Sequence, residues 1–148
     1  MKRIILSFVL TVALLFSFGF KGCTKAQKNA ACNDISDGFR LESTQFPKDK
    51  VLAELKTDSV TICDIFASGG SVPVALVKAF LTRFDAFVQA HGQSEALGLI
   101  DIGIHVILNH LPTSVAAQSE SIQDTDAIIQ EYRNRPIWGC QFRPDKCH

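Results

Sequence analysis

The chain has 148 residues, of which 47% are hydrophobic, and its 15 Lys and Arg residues balance its 15 Asp and Glu residues. Without the first 26 residues, which hold four basic and no acidic side chains, 11 basic residues remain against 15 acidic ones. A mildly acidic domain argues against nucleic acid or an anionic membrane surface as the main partner, because both need a basic field. The remaining length is enough for one domain with its own core, without a metal ion or a partner subunit.

The first 26 residues predict an export signal. Met1-Lys2-Arg3 is a short cationic start, and an uncharged apolar run from Ile4 to Phe20 follows until Lys21. A run of this length between positive charge and small residues is typical of a secretory signal rather than a stable membrane span. We therefore expect the mature chain, residues 27–148, to be periplasmic or secreted.

The cysteine count bears on where this signal is cleaved. Cleavage after Ala26 removes Cys23, whereas cleavage before Cys23, as in a bacterial lipoprotein, makes that residue the acylated terminus. Cleavage after Gly19 would instead leave Cys23 as a fifth thiol, which would tend to mispair. Lys21 departs from the usual lipoprotein box, which has a small residue at that place, so the first two cleavage sites both stay open. In the lipoprotein form, the acylated Cys23 would be the protein's contact with a membrane.

Four cysteines remain after either cleavage, and we expect them to form two disulfides: Cys32, Cys63, Cys140 and Cys147. Three pairings are possible, and the sequence does not choose among them. Metal binding or haem attachment at Cys140, Cys147 and His148 is the alternative. The attachment motif needs two residues between its cysteines and six lie here, while a metal site lacks a fourth ligand nearby. No metal or cofactor is therefore predicted.

The first part of the mature chain is predicted to be irregular and then helical. Residues 27–48 are polar and turn-rich, and they predict a tether pinned at Cys32. After Pro47, apolar residues at helical spacing predict a helix, which Thr57-Asp58-Ser59 is expected to interrupt. The loop Ser68-Gly69-Gly70-Ser71 ends this segment, and its last serine is expected to cap the next helix.

Two strongly apolar helices follow. The first runs from Val72 to His91 and ends at Gly92; the second runs from Ser94 to Leu111 and is apolar almost all round, which predicts the central helix. A last helix from Ile122 to about Asn134 begins at the capping sequence Ser121–Asp124, and residues 137–148 form an irregular tail. The sequence thus predicts an all-α fold, a small bundle of about four helices with disulfide-pinned termini.

One polar face of the predicted central helix is a candidate catalytic site. Asp101, His105 and Asn109 recur every four residues, so a carboxylate and an imidazole could meet for acid–base chemistry. A mostly buried helix also needs one hydrogen-bonded polar stripe, and these residues supply it. No nucleophile with a recognisable context accompanies the pair, so we predict no catalytic residues and a protein that is not an enzyme.

The tail, together with Arg135 just before it, is the best candidate for a surface that binds a partner protein. The residues predicted to form this surface are Arg135, Trp138, Phe142 and Arg143. Aromatic and Arg residues are enriched at protein–protein interfaces, and with Arg133 and Lys146 they predict a local basic patch in an acidic domain. In the alternative, the disulfides tie the tail down and Trp138 packs into the core. The leading hypothesis is an exported, non-enzymatic protein-binding domain, such as an inhibitor, an immunity protein or an assembly accessory.

Two further hypotheses are kept. Phe80, Phe84 and Phe87 predict either packed core or the lining of a site that carries a small hydrophobic ligand. The segment Thr61-Ile62-Cys63-Asp64-Ile65-Phe66-Ala67, followed by Pro73 and a helix, resembles the start of the HdeA-type periplasmic acid-stress chaperones. That resemblance covers about twenty residues and implies a disulfide-linked helical protein that binds client proteins as acid loosens it.

Overall fold

The structure is a computed structural model that describes residues 24–111 and 120–147. Within these ranges the chain forms five α-helices, no strand and two short 3₁₀ turns. The helices are α1 (Lys25–Gln45), α2 (Lys50–Ala67), α3 (Val74–His91), α4 (Glu95–His110) and α5 (Glu120–Asn134), and the turns are Trp138–Gln141 and Pro144–Lys146. The predicted all-α class is confirmed, and five helices are close to the expected bundle of about four. The predicted export signal and Cys23 lie outside the described residues.

α1 overturns the prediction of a polar tether over residues 27–48. The helix begins with a capping box, in which Gln27 N donates to Thr24 Oγ1 over 3.2 Å and Thr24 N donates to Gln27 Oε1 over 2.9 Å. Its buried positions recur every three or four residues and are Ala31, Ile35, Gly38, Phe39 and Glu42. Because two of these are a glycine and a glutamate, the buried stripe does not show as a hydrophobic period.

α2 is continuous through Thr57-Asp58-Ser59, where the sequence predicted an interruption. The Thr57 hydroxyl donates to the Ala53 carbonyl over 3.0 Å, and the Ser59 hydroxyl donates to the Lys56 carbonyl over 2.8 Å. Both hydroxyls are therefore satisfied by the preceding turn of the same helix, as Ser and Thr side chains commonly are inside helices.

The helix ends that follow are partly as predicted. α3 begins at Val74, and Pro73 occupies its N-cap position without a side-chain cap, so the predicted Ser71 cap is wrong. Gly92, at φ +83°, ends α3 as expected. Ser94, predicted as the first residue of the next helix, is the N-cap of α4, since its hydroxyl accepts the N–H of Leu97 over 3.1 Å. α5 begins at Glu120, and the side chains of the predicted cap at its start are outside the described set.

α4 is the central helix, as predicted, and is buried almost all round. Its most extensive contact is with α1, and glycines let the two backbones approach closely. A Cβ atom added at Gly38 would lie 2.5 Å from the Ala96 carbonyl oxygen, and one added at Gly103 would lie 2.7 Å from that of Ala31. The core continues into α2 and α3 through Leu55, Phe66, Phe80, Leu81 and Phe84.

The two predicted disulfides are present, and the structure selects their pairing. Cys32–Cys63 joins α1 to α2, and Cys140–Cys147 closes a loop of the tail on itself. Neither bridge joins the tail to the helices, so pinning of the termini by disulfides is not confirmed. The tail is instead held on the bundle by noncovalent contacts.

Candidate functional site

The first 3₁₀ turn of the tail docks on α4 at a contact between two glycines. A Cβ added at Gly98 would lie 3.1 Å from Gly139 Cα, and one added at Gly139 would collide with the Gly98 carbonyl oxygen. The N–H of Gly139 also donates to Asp101 Oδ2 over 3.0 Å, and that carboxylate is 1% exposed. The sequence predicts no role for either glycine, although a glycine inside an apolar helix, as Gly98 is, is a signal of close backbone approach.

The Cys140–Cys147 bridge then closes a loop that displays an aromatic ring. Its two Cα atoms are 5.8 Å apart, and the loop contains the second 3₁₀ turn. Phe142 is 38% exposed and meets the Trp138 ring edge-on, with ring centroids 6.2 Å apart. Trp138 is half-buried against the core cluster. The structure therefore brings Trp138 and Phe142 together, with Trp138 supporting the more exposed ring.

The cations of this loop are paired with carboxylates. Arg143 donates from Nε and Nη2 to the two carboxylate oxygens of Asp145, over 3.0 and 2.9 Å. These hydrogen bonds hold the pKa of Asp145 below its usual range. Lys146 Nζ donates to Asp34 on α1 over 2.9 Å. The expected basic patch is thus compensated by acidic side chains, and the loop offers little net charge.

Arg135, predicted as part of the same surface, is engaged elsewhere. It donates to Asp85 on α3 over 2.9 Å and to Glu131 over 2.7 Å, and its guanidinium lies 4.4 Å from the centre of the Tyr132 ring. The Tyr132 hydroxyl also donates to Asp85. Burial, followed by that hydrogen bond, raises the pKa of Tyr132, so the phenol stays protonated.

These residues border a groove of about 270 Å³ between α3 and α5, lined by Leu81, Thr82, Asp85, Ala86, Gln89, Ile128, Glu131, Tyr132 and Arg135. Its cation and both carboxylates already interact with one another. Arg133, which follows Tyr132 in α5, does not line the groove and instead donates to the carbonyls of Leu108 and Leu111 over 2.7 and 2.9 Å. It therefore caps the C-terminal end of α4, where a cation also interacts favourably with the helix dipole.

Asp101 and His105 lie together on α4, as their spacing predicted, but both are buried. They are 1% and 2% exposed, and the carboxylate approaches the imidazole Nδ1 at 3.5 Å. Burial raises the pKa of Asp101, while the Gly139 N–H and the charge of His105 act in the opposite direction. The pair lies between α4, α5 and the tail rather than in an open cleft. Asn109 is exposed and not part of it.

The chain matches no protein-family model, no curated protein and no solved structure. Within residues 24–111 and 120–147, no helix is long and apolar enough to cross a membrane.

The three phenylalanines considered for ligand binding are part of the packed core. Phe80, Phe84 and Phe87 are each 3% exposed or less. Phe80 and Phe84 are stacked, with ring centroids 6.1 Å apart and planes 6° from parallel. A cavity beside Phe80, lined also by Val77 and Ile104, measures about 20 Å³, which is close to the space of one water molecule. This geometry gives the ligand-carrier hypothesis no support.

Proposed function

We propose that this chain is an exported, non-enzymatic domain that binds another protein through its disulfide-closed C-terminal loop. The observation that supports it is the exposed Phe142 ring, held on a loop that Cys140–Cys147 closes and that Gly139 docks onto α4. A side chain that is already fixed in place loses less conformational entropy on binding. Aromatic anchors of this kind commonly supply much of the affinity of an interface.

The partner is expected to be recognised mainly by apolar and hydrogen-bonding contacts. Arg143 already binds Asp145 and lies 3.9 Å from Glu95, so its charge is balanced within the chain. Binding at this loop should consequently depend weakly on ionic strength, since electrostatic steering requires an uncompensated field. An inhibitor, an immunity protein or an assembly accessory would all suit such a surface.

Export is supported by the disulfides, because such bridges persist in oxidising compartments. The start of α1 favours cleavage before Cys23 over cleavage after Ala26. Cleavage after Ala26 would remove the Thr24 cap and place a positive amino group at the N-terminal end of the helix dipole. Cleavage before Cys23 keeps the cap, and it makes the one cysteine outside the two bridges the acylated terminus. We therefore include a lipid anchor at Cys23 in the proposal.

Site-specific photo-crosslinking in cells that naturally export the chain tests the binding surface. A photoreactive residue replacing Phe142 should capture a defined protein, whereas the same residue replacing Val60, a 54% exposed apolar position on α2, should not. With the probe at Gln141, Phe142→Ala should abolish that product and Val60→Ala should leave it unchanged. Persistence of the product in Phe142→Ala, with α4 and the loop intact, would show that the loop is not the binding surface.

A further inference from the structure

The Cys32–Cys63 bridge lies between two helices that also hold its cysteines together by packing. Cys32 of α1 and Cys63 of α2 both pack against the hydrophobic core, to which Ile35 and Ile62 of the same helices belong. The Cα atoms of the two cysteines are 5.6 Å apart. Two thiols that packed helices keep side by side have a high effective concentration, so they re-form their bridge readily after reduction.

The Cys140–Cys147 bridge is the main constraint on its own loop. Every residue from Cys140 to Cys147 is exposed or half-buried. The charged side chains of this loop reach the rest of the chain by ion pairs at the surface, Arg143 to Glu95 over 3.9 Å and Lys146 to Asp34 over 2.9 Å. Surface ion pairs contribute little stability. Once this bridge is open, its two thiols are therefore joined only by a flexible segment, in which their effective concentration is much lower.

The two bridges thus differ in how easily they are reduced. All four cysteines are half-buried, so access of a thiol does not separate one bridge from the other. The equilibrium does separate them, because a disulfide is easier to reduce when its two thiols move apart afterwards. A dithiol should consequently open the bridge of the tail before the bridge between the helices.

We propose that Cys140–Cys147 is a thiol–disulfide exchange site, at which reduction by a dithiol releases the loop that carries Phe142 while Cys32–Cys63 stays closed. One thiolate of the dithiol attacks a sulfur of the bridge, the S–S bond breaks, and the displaced cysteine sulfur takes up a proton. The second sulfur of the dithiol then displaces the first, so the dithiol leaves as a disulfide and both cysteines become thiols. Two electrons and two protons pass from the dithiol to the chain. The Arg143 carbonyl oxygen, 3.6 Å from Cys147 Sγ, is placed to accept the new S–H.

Opening the bridge should weaken the candidate binding surface, and this part of the proposal rests on the proposed function. In the closed loop the Phe142 ring meets the Trp138 ring edge-on, with ring centroids 6.2 Å apart. After reduction the loop around Phe142 must be ordered again each time a partner binds, which costs conformational entropy. We expect the affinity for the partner to fall by about tenfold or more. The helices should stay folded, because the opened loop contributes no residue to their core.

Dithiothreitol redox buffers, applied to the oxidised exported chain, test the exchange site without any partner. After each equilibration the free thiols are alkylated, and the labelled cysteines are assigned by peptide mass spectrometry. Half-labelling of Cys140 and Cys147 should need a reduced-to-oxidised ratio at least about tenfold lower than that of Cys32 and Cys63, a difference of about 30 mV. Quenching of Trp138 should rise with labelling of the tail pair, while the helical circular dichroism is retained. Equal ratios for the two pairs, or earlier opening of Cys32–Cys63, would overturn the exchange site.

Matched double variants test the effect on binding. With the photoreactive probe at Gln141, the variant with Cys140→Ser and Cys147→Ser mimics the opened loop, and the crosslinked product should fall by about tenfold. The control with Cys32→Ser and Cys63→Ser should keep the product, and the unmodified chain is the reference if that control does not fold. An undiminished product in the tail variant would overturn control of binding by the bridge. Absence of a product in the unmodified chain would instead count against the proposed function, and the redox titration would still decide the exchange site.

Discussion

Ser94 Oγ donates to Glu42 Oε2 over 3.0 Å, and this bond joins α1 to the N-terminal end of α4. The Glu42 side chain is buried, with the residue 2% exposed, and the same hydroxyl accepts the N–H of Leu97. Ser94 thus caps α4, and its hydrogen bond offsets part of the desolvation cost of burying the Glu42 carboxylate. The carboxylate also lies near the positive end of the α4 dipole, where a negative charge is stabilised.

Removing this buried carboxylate should destabilise the domain. Glu42→Ala leaves a cavity and an unpaired Ser94 hydroxyl donor, and we expect the free energy of unfolding to fall by about 1–3 kcal/mol. Glu42→Gln, which keeps an acceptor oxygen, should cost less. Urea unfolding followed by circular dichroism measures both. Glu54→Ala, which removes an exposed partner of Arg83 at 3.7 Å, is the control and should cost under about 1 kcal/mol; equal losses in Glu42→Ala and Glu54→Ala would contradict the buried role.

The sequence predicted the strongly apolar helices well and the polar ones poorly. α3 and α4 were found within two residues of their ends because wide apolar faces, Gly92 and Ser94 mark them. For α1 the sequence instead predicts a tether, because the contact of this helix with α4 uses Gly38, Glu42 and close backbone approach rather than a broad hydrophobic stripe. Whether two backbones can approach closely depends on which helix lies opposite, and the periodicity of a single helix does not show which helix that is.

The glycine contact under the tail should be intolerant of a methyl group. Gly139→Ala would force a Cβ into the Gly98 carbonyl, so the first 3₁₀ turn should lift from α4, at a cost of about 1–3 kcal/mol of docking free energy. We expect Trp138 emission to shift to longer wavelength while the helical circular dichroism is retained. Gly70→Ala serves as the control, because its Cβ would meet Ile65 Cγ2 at 3.0 Å and the Ile65 carbonyl oxygen at 3.3 Å, away from the tail, and Trp138 emission should not shift. Unchanged Trp138 emission in Gly139→Ala would show that this contact does not hold the tail.

The two disulfides should differ in their effect on stability. Cys32–Cys63 closes a separation of 31 residues, and its loss through a double Cys→Ser variant should lower the free energy of unfolding by roughly 3–4 kcal/mol. Cys140–Cys147 closes a separation of 7 residues, and its loss should lower the free energy of unfolding by roughly 2–3 kcal/mol. This loss should appear mainly as greater quenching of Trp138 fluorescence and only weakly as a change in the helices. Thermal unfolding and Trp138 quenching compare the two variants. In the exported protein, thiol labelling of any of these four cysteines without reductant would contradict the pairing.

The aromatic part of the candidate surface could be recognised from the sequence, but its charge could not. Trp138 and Phe142 are four residues apart and meet in the structure. Asp145 is two residues from Arg143 and Glu131 is four residues from Arg135, so these partners could be read from the sequence. The other two partners are distant along the chain: Asp34 is 112 residues from Lys146, and Asp85 is 50 residues from Arg135. A patch of Arg and Lys in the sequence therefore becomes a set of ion pairs once α1 and α3 are in place. Asp101 and His105 show the same limit, since their shared face was predicted and their burial was not.

Processing of the N-terminus gives the last prediction. If the Thr24 capping box is part of the mature fold, the exported chain should begin at an acylated Cys23, partition into detergent, and show the corresponding intact mass. Cys23→Ser should give a chain whose intact mass lacks the acyl groups. In the folded chain, Thr24→Ala should lower stability by about 1 kcal/mol through loss of the cap. Thr44→Ala, which removes a hydroxyl bound to the Leu41 carbonyl at the other end of α1, should have a smaller effect. A soluble mature chain that begins at Gln27 would refute the anchored form and leave the binding proposal to be decided by the crosslinking at position 142.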